Sequence, residues 1–165
     1  MYILATTCIC ADSDPAVTAH PFASPCACSR LRRATRAVTQ LYDDALEAVG
    51  LRVTQLSLLR TLQRRGTLRI GEIAAQNLLD RTALSRNLDP LVARKWVTIV
   101  AGRDARTREV TLTRQGVAAI AAAAPHWDRV QREVARHVGR DRLDGLYEVL
   151  RDIETLHPAS AGQDV

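Results

Sequence analysis

The chain has 165 residues, 47% of them apolar and 25% charged, enough for one packed domain with short appendages. No apolar run reaches the ~20 residues that a membrane-spanning helix needs, which excludes a helical membrane protein. The formal net charge is +5, and all but Lys95 of the 23 basic residues are arginine, so an anionic partner is favoured.

Residues 1–28 stand apart. They hold Asp12, Asp14 and no Lys or Arg, and all four cysteines, as the pairs Cys8/Cys10 and Cys26/Cys28. Between the pairs, Ala11–Pro25 is rich in Pro, Ala, Ser and Thr and shows neither helical nor strand period. Met1–Cys10 lacks a basic residue and Tyr2–Ala5 is too short for the apolar part of a secretory signal, so a cytoplasmic chain with reduced thiols is expected. The cysteines have two readings. They belong to a weakly ordered tail with no specific chemistry, or they form a thiolate site for oxidant, a soft metal or an iron–sulfur cluster. The one-residue gap within each pair is tighter than the usual zinc spacing.

From Ser29 onward the pattern is helical. Leu31, Ala34, Val38, Leu41, Ala45 and Val49 recur at steps of three or four, with Ser29 as N-cap and Gly50 as stop. Thr54 reads as the N-cap of a second helix burying Leu56, Leu59 and Leu62 and ending at Gly66. Thr67–Arg69 is a short extended piece. A third helix over 70–77, a tight turn at Leu78–Leu79, and a fourth helix over 81–94 capped by Asp80 follow. The fourth helix turns Leu84, Leu88 and Leu91 inward. Its first two turns expose Arg81, Thr82, Ser85 and Arg86 with no acid among them, a set suited to base edges and phosphates and equally compatible with a solvated face. Pro90 predicts a bend that leaves the Arg86 carbonyl unpaired in the helix.

Trp96–Ala101 and Arg108–Leu112 are β-branched and short, joined by the polar turn 102–107, which is a hairpin. Its tip and flanks gather Arg103, Arg106 and Arg108 against Asp104 and Glu109, a grouping that suits a DNA groove and its phosphates, with a solvated turn as the other reading of the same residues. Thr113 begins a long helical stretch with Val117, Ile120, Ala124, Trp127, Val130, Val134 and Val138 on one side, with a kink or restart at Pro125 and an end at Gly139. A last helix over 141–156 carries Leu143, Leu146, Leu150 and Ile153 near heptad spacing, and a loose tail follows.

This order of helices and hairpin resembles the MarR family of bacterial winged helix–turn–helix regulators over residues 30–156, more than three quarters of the chain. The resemblance rests on Ile70-Gly-Glu-Ile-Ala-Ala75, on Asp80-Arg-Thr-Ala-Leu-Ser-Arg86, and on Asp104-Ala-Arg106 followed by Val110-Thr-Leu-Thr113 and Gly116. The chain departs from the family pattern at Trp96, where glycine is common, and at Pro90. The resemblance implies a mainly α fold with a small β-hairpin wing: a winged helix–turn–helix plus a helical dimerisation region. Residues 54–113 would bind DNA, 29–53 and 114–157 would dimerise, and 158–165 would be a tail. Arg106 matches the wing arginine that enters the groove and Asp104 the acid that orients it. Arg103 and Arg108 would clamp phosphates, beside Arg81, Thr82, Ser85 and Arg86 on the recognition helix.

A homodimer is implied, and the end helices independently carry more apolar positions than one small winged domain can cover. Leu31, Leu41, Leu143, Leu146, Leu150 and Ile153 are candidates for the interface, with an intramolecular core as the other use of the same residues. Two copies demand double-stranded DNA with a near-palindromic operator. The expected activity is a transcriptional regulator, a repressor in preference to an activator. In the family a small aromatic effector often binds between the dimer helices and the DNA-binding lobe; Tyr42 and Trp127 are the candidates here, both also ordinary core types. An enzyme is disfavoured, since His-Glu-x-x-His, Gly-x-Gly-x-x-Gly and Gly-x-Ser-x-Gly are all missing and His20, His126, His137 and His157 are scattered. The competing reading is a helical protein-interaction module that shares the winged fold without binding DNA.

Overall fold

The computed structural model describes residues 26–102 and 107–156. In chain order the elements are α1 (Ala27–Leu46), a single 3₁₀ turn (Glu47–Val49), α2 (Val53–Arg65), β1 (Leu68–Arg69), α3 (Ile70–Gln76), α4 (Arg81–Ala93), β2 (Val97–Ala101), β3 (Arg108–Leu112), α5 (Arg114–Val138) and α6 (Arg140–Glu154). The fold is helical with one small antiparallel sheet, as the sequence predicts. Contacts divide the chain into residues 1–37 and 38–165. Of the first unit only 26–37 are described, one exposed helical segment in which Leu31 is half-buried.

The starts of α1 and α2 differ from the predicted ones, whereas Asp80 and Thr113 cap α4 and α5 as expected. α1 already runs through Ser29, which is no cap. Gly50 does end the first helical segment, at a left-handed φ of 66°, with its N–H donating to Glu47 O at 2.8 Å. α2 begins one residue before Thr54. Its first amide, Val53 N, donates to Asp43 Oδ1 at 2.7 Å, and Arg52 Nη1 donates to Asp43 Oδ2 at 3.2 Å. A carboxylate ten residues upstream thus does the work assigned to Thr54, and the Thr54 hydroxyl is free to donate to Asn87 Oδ1 at 2.9 Å.

One core joins α2, α3, α4, the sheet and α5. Leu46, Leu59, Ile73, Leu84, Leu91, Val110 and Ala123 are completely buried. A second, smaller cluster packs Tyr42 and Ala45 against Val130. The predicted hairpin gains a third strand, giving the order β1-β3-β2, because Leu68 and Arg69 pair with Val110 and Glu109 of β3.

α5 runs unbroken for 25 residues through Pro125, so the expected restart near Ala124 does not occur, and α4 likewise continues past Pro90. Both prolines are exposed, and so are Ala121 and Arg86, the residues whose carbonyls they leave without a helical donor. Exposure of those residues offers solvent as the replacement donor, which lowers the cost of each proline. The inner face of α5 also differs: Val117 and Ala124 are exposed, whereas Gly116 and Ala123 are buried. Close approach to the sheet and α2 selects small side chains there, and a reading keyed to bulk misses them. Among the described residues no helix is long and apolar enough to cross a membrane.

Candidate nucleic-acid interface

α3, the turn 77–80 and α4 form a helix–turn–helix whose parts are fixed by named contacts. Leu78 turns the corner at φ 50°, and Leu79 N donates to Ala74 O at 2.9 Å. Glu72 accepts from Arg69 N at 2.7 Å at the start of α3, and Asp80 accepts from Ala83 N at 2.7 Å at the start of α4. Leu84, Leu88 and Leu91 are each no more than 2% exposed, which fixes the rotation of α4 about its axis. Arg81, Thr82, Ser85 and Arg86 consequently lie on the solvent side, all exposed and none in an ion pair among the described residues. The structure brings these four predicted residues onto one face.

Two polar ties missed by the sequence hold α4 in place. Asn87 donates to Ala83 O at 2.8 Å and accepts from Thr54 of α2. Arg94, just past the last turn, donates to the Gly50 carbonyl and stacks 4.8 Å from the Trp96 ring centroid. The ties to Thr54 and to Gly50 have no local signature, because those partners lie 33 and 44 residues away along the chain.

The wing is β2 and β3, with Ala101 opposite Arg108 and Val97 opposite Leu112. Gly102 N donates to Thr107 O at 2.9 Å and closes the base of the tip. Arg103, Asp104 and Arg106 lie outside the described residues; Arg108 is described and exposed. Thr113 clasps the other end: its hydroxyl donates to Lys95 O at 2.7 Å and accepts from Gly116 N at 3.0 Å, while its own N–H donates to Trp96 O at 3.0 Å. The start of α5 is therefore locked to the start of β2.

Of the interface candidates, Leu143 is only 8% exposed within a single chain, so its burial needs no second copy. Leu41, Leu150 and Ile153 are half-buried, and Leu146 is 41% exposed beside exposed Val149. Tyr42 is a core residue at 7% exposure, and burial, then the neighbouring Tyr147 phenol, push its pKa up. Trp127 is half-buried and borders a cavity of about 200 Å³ between α2 and α5, with Leu56, Ile120 and Asp128; Arg60 Cζ sits 4.5 Å from its ring centroid. Cys26 and Cys28 are exposed, while Cys8 and Cys10 lie outside the described residues. Among the described residues no three His, Cys, Asp or Glu side chains gather as a metal site.

Residues 49–107, from the end of the first helical segment to the wing, match the MarR family. The crystal structure of the M. tuberculosis transcriptional regulator MosR in complex with DNA is 38% identical, covering 80% of this chain and 98% of that one, with a TM-score of 0.68. The chain belongs to the MarR family. This MarR-family chain is also similar to the transcriptional repressor CouR bound to a 23-mer DNA duplex, at 26% identity, 78% and 92% coverage and a TM-score of 0.72. A serine variant of E. coli MarR complexed with operator DNA shares the fold at 20% identity, 76% and 91% coverage and a TM-score of 0.70. No curated protein sequence matches significantly. The family is one of transcriptional regulators and not of enzymes.

Proposed function

We propose that this MarR-family regulator is a cytoplasmic homodimeric repressor that reads a near-palindromic operator. The observation that carries the reading is the acid-free exposed face of α4. Arg81, Thr82, Ser85 and Arg86 project from a helix whose rotation and ends are fixed, and the DNA-bound MosR structure shares the fold at 38% identity. The first two turns of α4 enter the major groove, where guanidinium and hydroxyl groups reach base edges and phosphates. Arg106, oriented by Asp104, enters the minor groove, and Arg103 and Arg108 hold phosphates. Leu31, Leu41, Leu146, Leu150 and Ile153 supply the two-fold interface, for which the exposed apolar row on α6 is the support. The half-sites then lie about one helical turn, ~34 Å, apart.

The effector is a small one-ring aromatic seated against Trp127, because ~200 Å³ is below the usual range for larger ligands. A second input is thiol or soft-metal chemistry at Cys8, Cys10, Cys26 and Cys28, favoured by the exposure of Cys26 and Cys28 at the start of α1.

The test selects duplexes from a random pool and titrates the winner at two salt concentrations. Inverted-repeat selection, a steep loss of affinity with salt, and a loss of ~1–3 kcal/mol in Arg86→Ala and in Arg106→Ala are expected. Affinity unchanged by salt and by both substitutions refutes DNA recognition by these surfaces and leaves a protein-interaction module. Thiol oxidant and simple aromatic acids, added to the same titration, report the signal.

A further inference from the structure

Asparagine is a poor residue for the inside of a helix, because its short amide competes with the backbone for hydrogen bonds. Asn87 nevertheless stands in the middle of the 13-residue α4, between Arg86 on the exposed face and Leu88 in the core. Its amide has two partners: Nδ2 donates back to Ala83 O at 2.8 Å, and Oδ1 accepts from the Thr54 hydroxyl at 2.9 Å. The first bond ties the amide to its own helix, and the second ties it to α2. A looser copy of this arrangement ends α3, where Asn77 Nδ2 donates to Ile73 O at 2.9 Å and Oδ1 accepts from Ser57 at 3.5 Å. Thr54 and Ser57 are three residues apart and share one face of α2.

Thr54 is a fixed reference point. The residue before it, Val53, donates its N–H to Asp43 Oδ1 at 2.7 Å, and Leu56 and Leu59 of the same helix are buried. Burial of Leu84, Leu88 and Leu91 decides which side of α4 faces inward, but apolar contact is non-directional and tolerates small slides along the helix axis. A hydrogen bond is directional and weakens steeply outside a narrow range of distance and angle. Reading a base edge is equally strict, since a guanidinium recognises guanine through two bonds at once. Arg86 adjoins Asn87 in the chain, and Thr82 and Ser85 lie within about a turn and a half of it. Stability alone does not account for the asparagine: an exposed hydroxyl–amide bond contributes little net, and alanine is the better helix former.

We propose that Thr54 and Asn87 are positioning residues for operator recognition. Their hydrogen bond sets the height of α4 against α2 and so aligns Arg86 and its neighbours with the base edges, while neither side chain meets DNA. This role rests on α4 being the helix that enters the groove. Loss of the bond costs discrimination between sequences and leaves the attraction to the DNA backbone intact.

The test measures Kd for the selected operator and for an unrelated duplex of equal length, each at two salt concentrations. The proteins are the full-length wild type, Thr54→Val, Asn87→Ala, the double variant and Thr54→Ser. Thr54→Val removes the hydroxyl and keeps the β-branched shape. The ratio of the two affinities is expected to fall at least about fivefold in either single variant, and no further in the double, because all three lose the same bond. Binding to the unrelated duplex and its salt slope stay at wild-type values, since no phosphate contact is removed. Thr54→Ser keeps the full ratio, and the urea midpoints stay close to wild type. A wild type that prefers no duplex refutes α4 as the reader and this role with it. A discriminating wild type beside variants that discriminate equally well overturns this role alone. Additive losses overturn it by placing Asn87 itself on the DNA, and a Thr54→Ser protein that behaves as Thr54→Val does so by assigning the effect to packing. A joint fall in both affinities with a lower urea midpoint overturns it as a loss of fold.

Discussion

Gly116→Ala tests how tightly the wing is bound to α5. The glycine is buried at the third position of α5, and a Cβ there would fall well inside 3.0 Å of the Trp96 carbonyl oxygen and 2.6 Å from Leu112 Cδ1. The leucine can swing aside, but a backbone carbonyl moves only with its strand. Either β2 or the first turn of α5 must shift, and the Thr113 clasp, at 3.0 Å to Gly116 N and 3.0 Å to Trp96 O, stretches with it. Overpacking costs about 1–3 kcal/mol, and a weakened cap about 1 kcal/mol. The better helix propensity of alanine returns up to about 1 kcal/mol, leaving a net loss of about 2 kcal/mol. Gly145→Ala in α6 is the control, since nothing lies within 4 Å of its added Cβ; it should gain about 0.5–1 kcal/mol. Urea unfolding followed by circular dichroism at one protein concentration measures both. A Gly116→Ala protein as stable as Gly145→Ala would show that close packing of α5 on Trp96 is not what requires the glycine.

Two further outcomes follow from caps and burial. Asp80→Ala removes the acceptor for Ala83 N and should cost about 1 kcal/mol in the same urea assay; an unchanged midpoint would mean that the leucines alone fix the start of α4. For Tyr42, burial first and the Tyr147 phenol second raise the pKa above 10.0, so the fold favours the neutral phenol. Its contribution is complete below the unfolded value near pH 10 and is lost as pH rises through the higher folded value. The wild type should therefore lose stability above about pH 10 more steeply than Tyr42→Phe, and parallel curves would contradict the assigned shift.

The order of elements was legible because helix faces and strand alternation are local patterns. Leu84, Leu88 and Leu91 predicted both the fourth helix and its exposed face, and Asp80 its cap. What escaped depended on partners distant in sequence. Asp43 caps α2 from the preceding helix, Leu68 and Arg69 become a strand only when β3 lies beside them, and Gly116 and Ala123 are inner residues only because the sheet and α2 come close. The restart expected at Pro125 fails for a related reason: the cost of a proline depends on whether the orphaned carbonyl can meet water, and exposure four residues upstream is a tertiary fact.

The same division separates the candidate site from its scaffold. Arg81, Thr82, Ser85 and Arg86 were legible as a surface because none of them is needed to hold α4 in place. That work falls to Asp80 at one end, Asn87 against Thr54 in the middle, and Arg94 on Gly50 and Trp96 at the other. Side chains with no structural duty can vary in what they read while the helix keeps its pitch. Arg94 is the exception that couples regions. Its guanidinium joins the end of the helix–turn–helix to the corner after α1 and to the first residue before the wing, so three stretches of chain distant in sequence share one side chain.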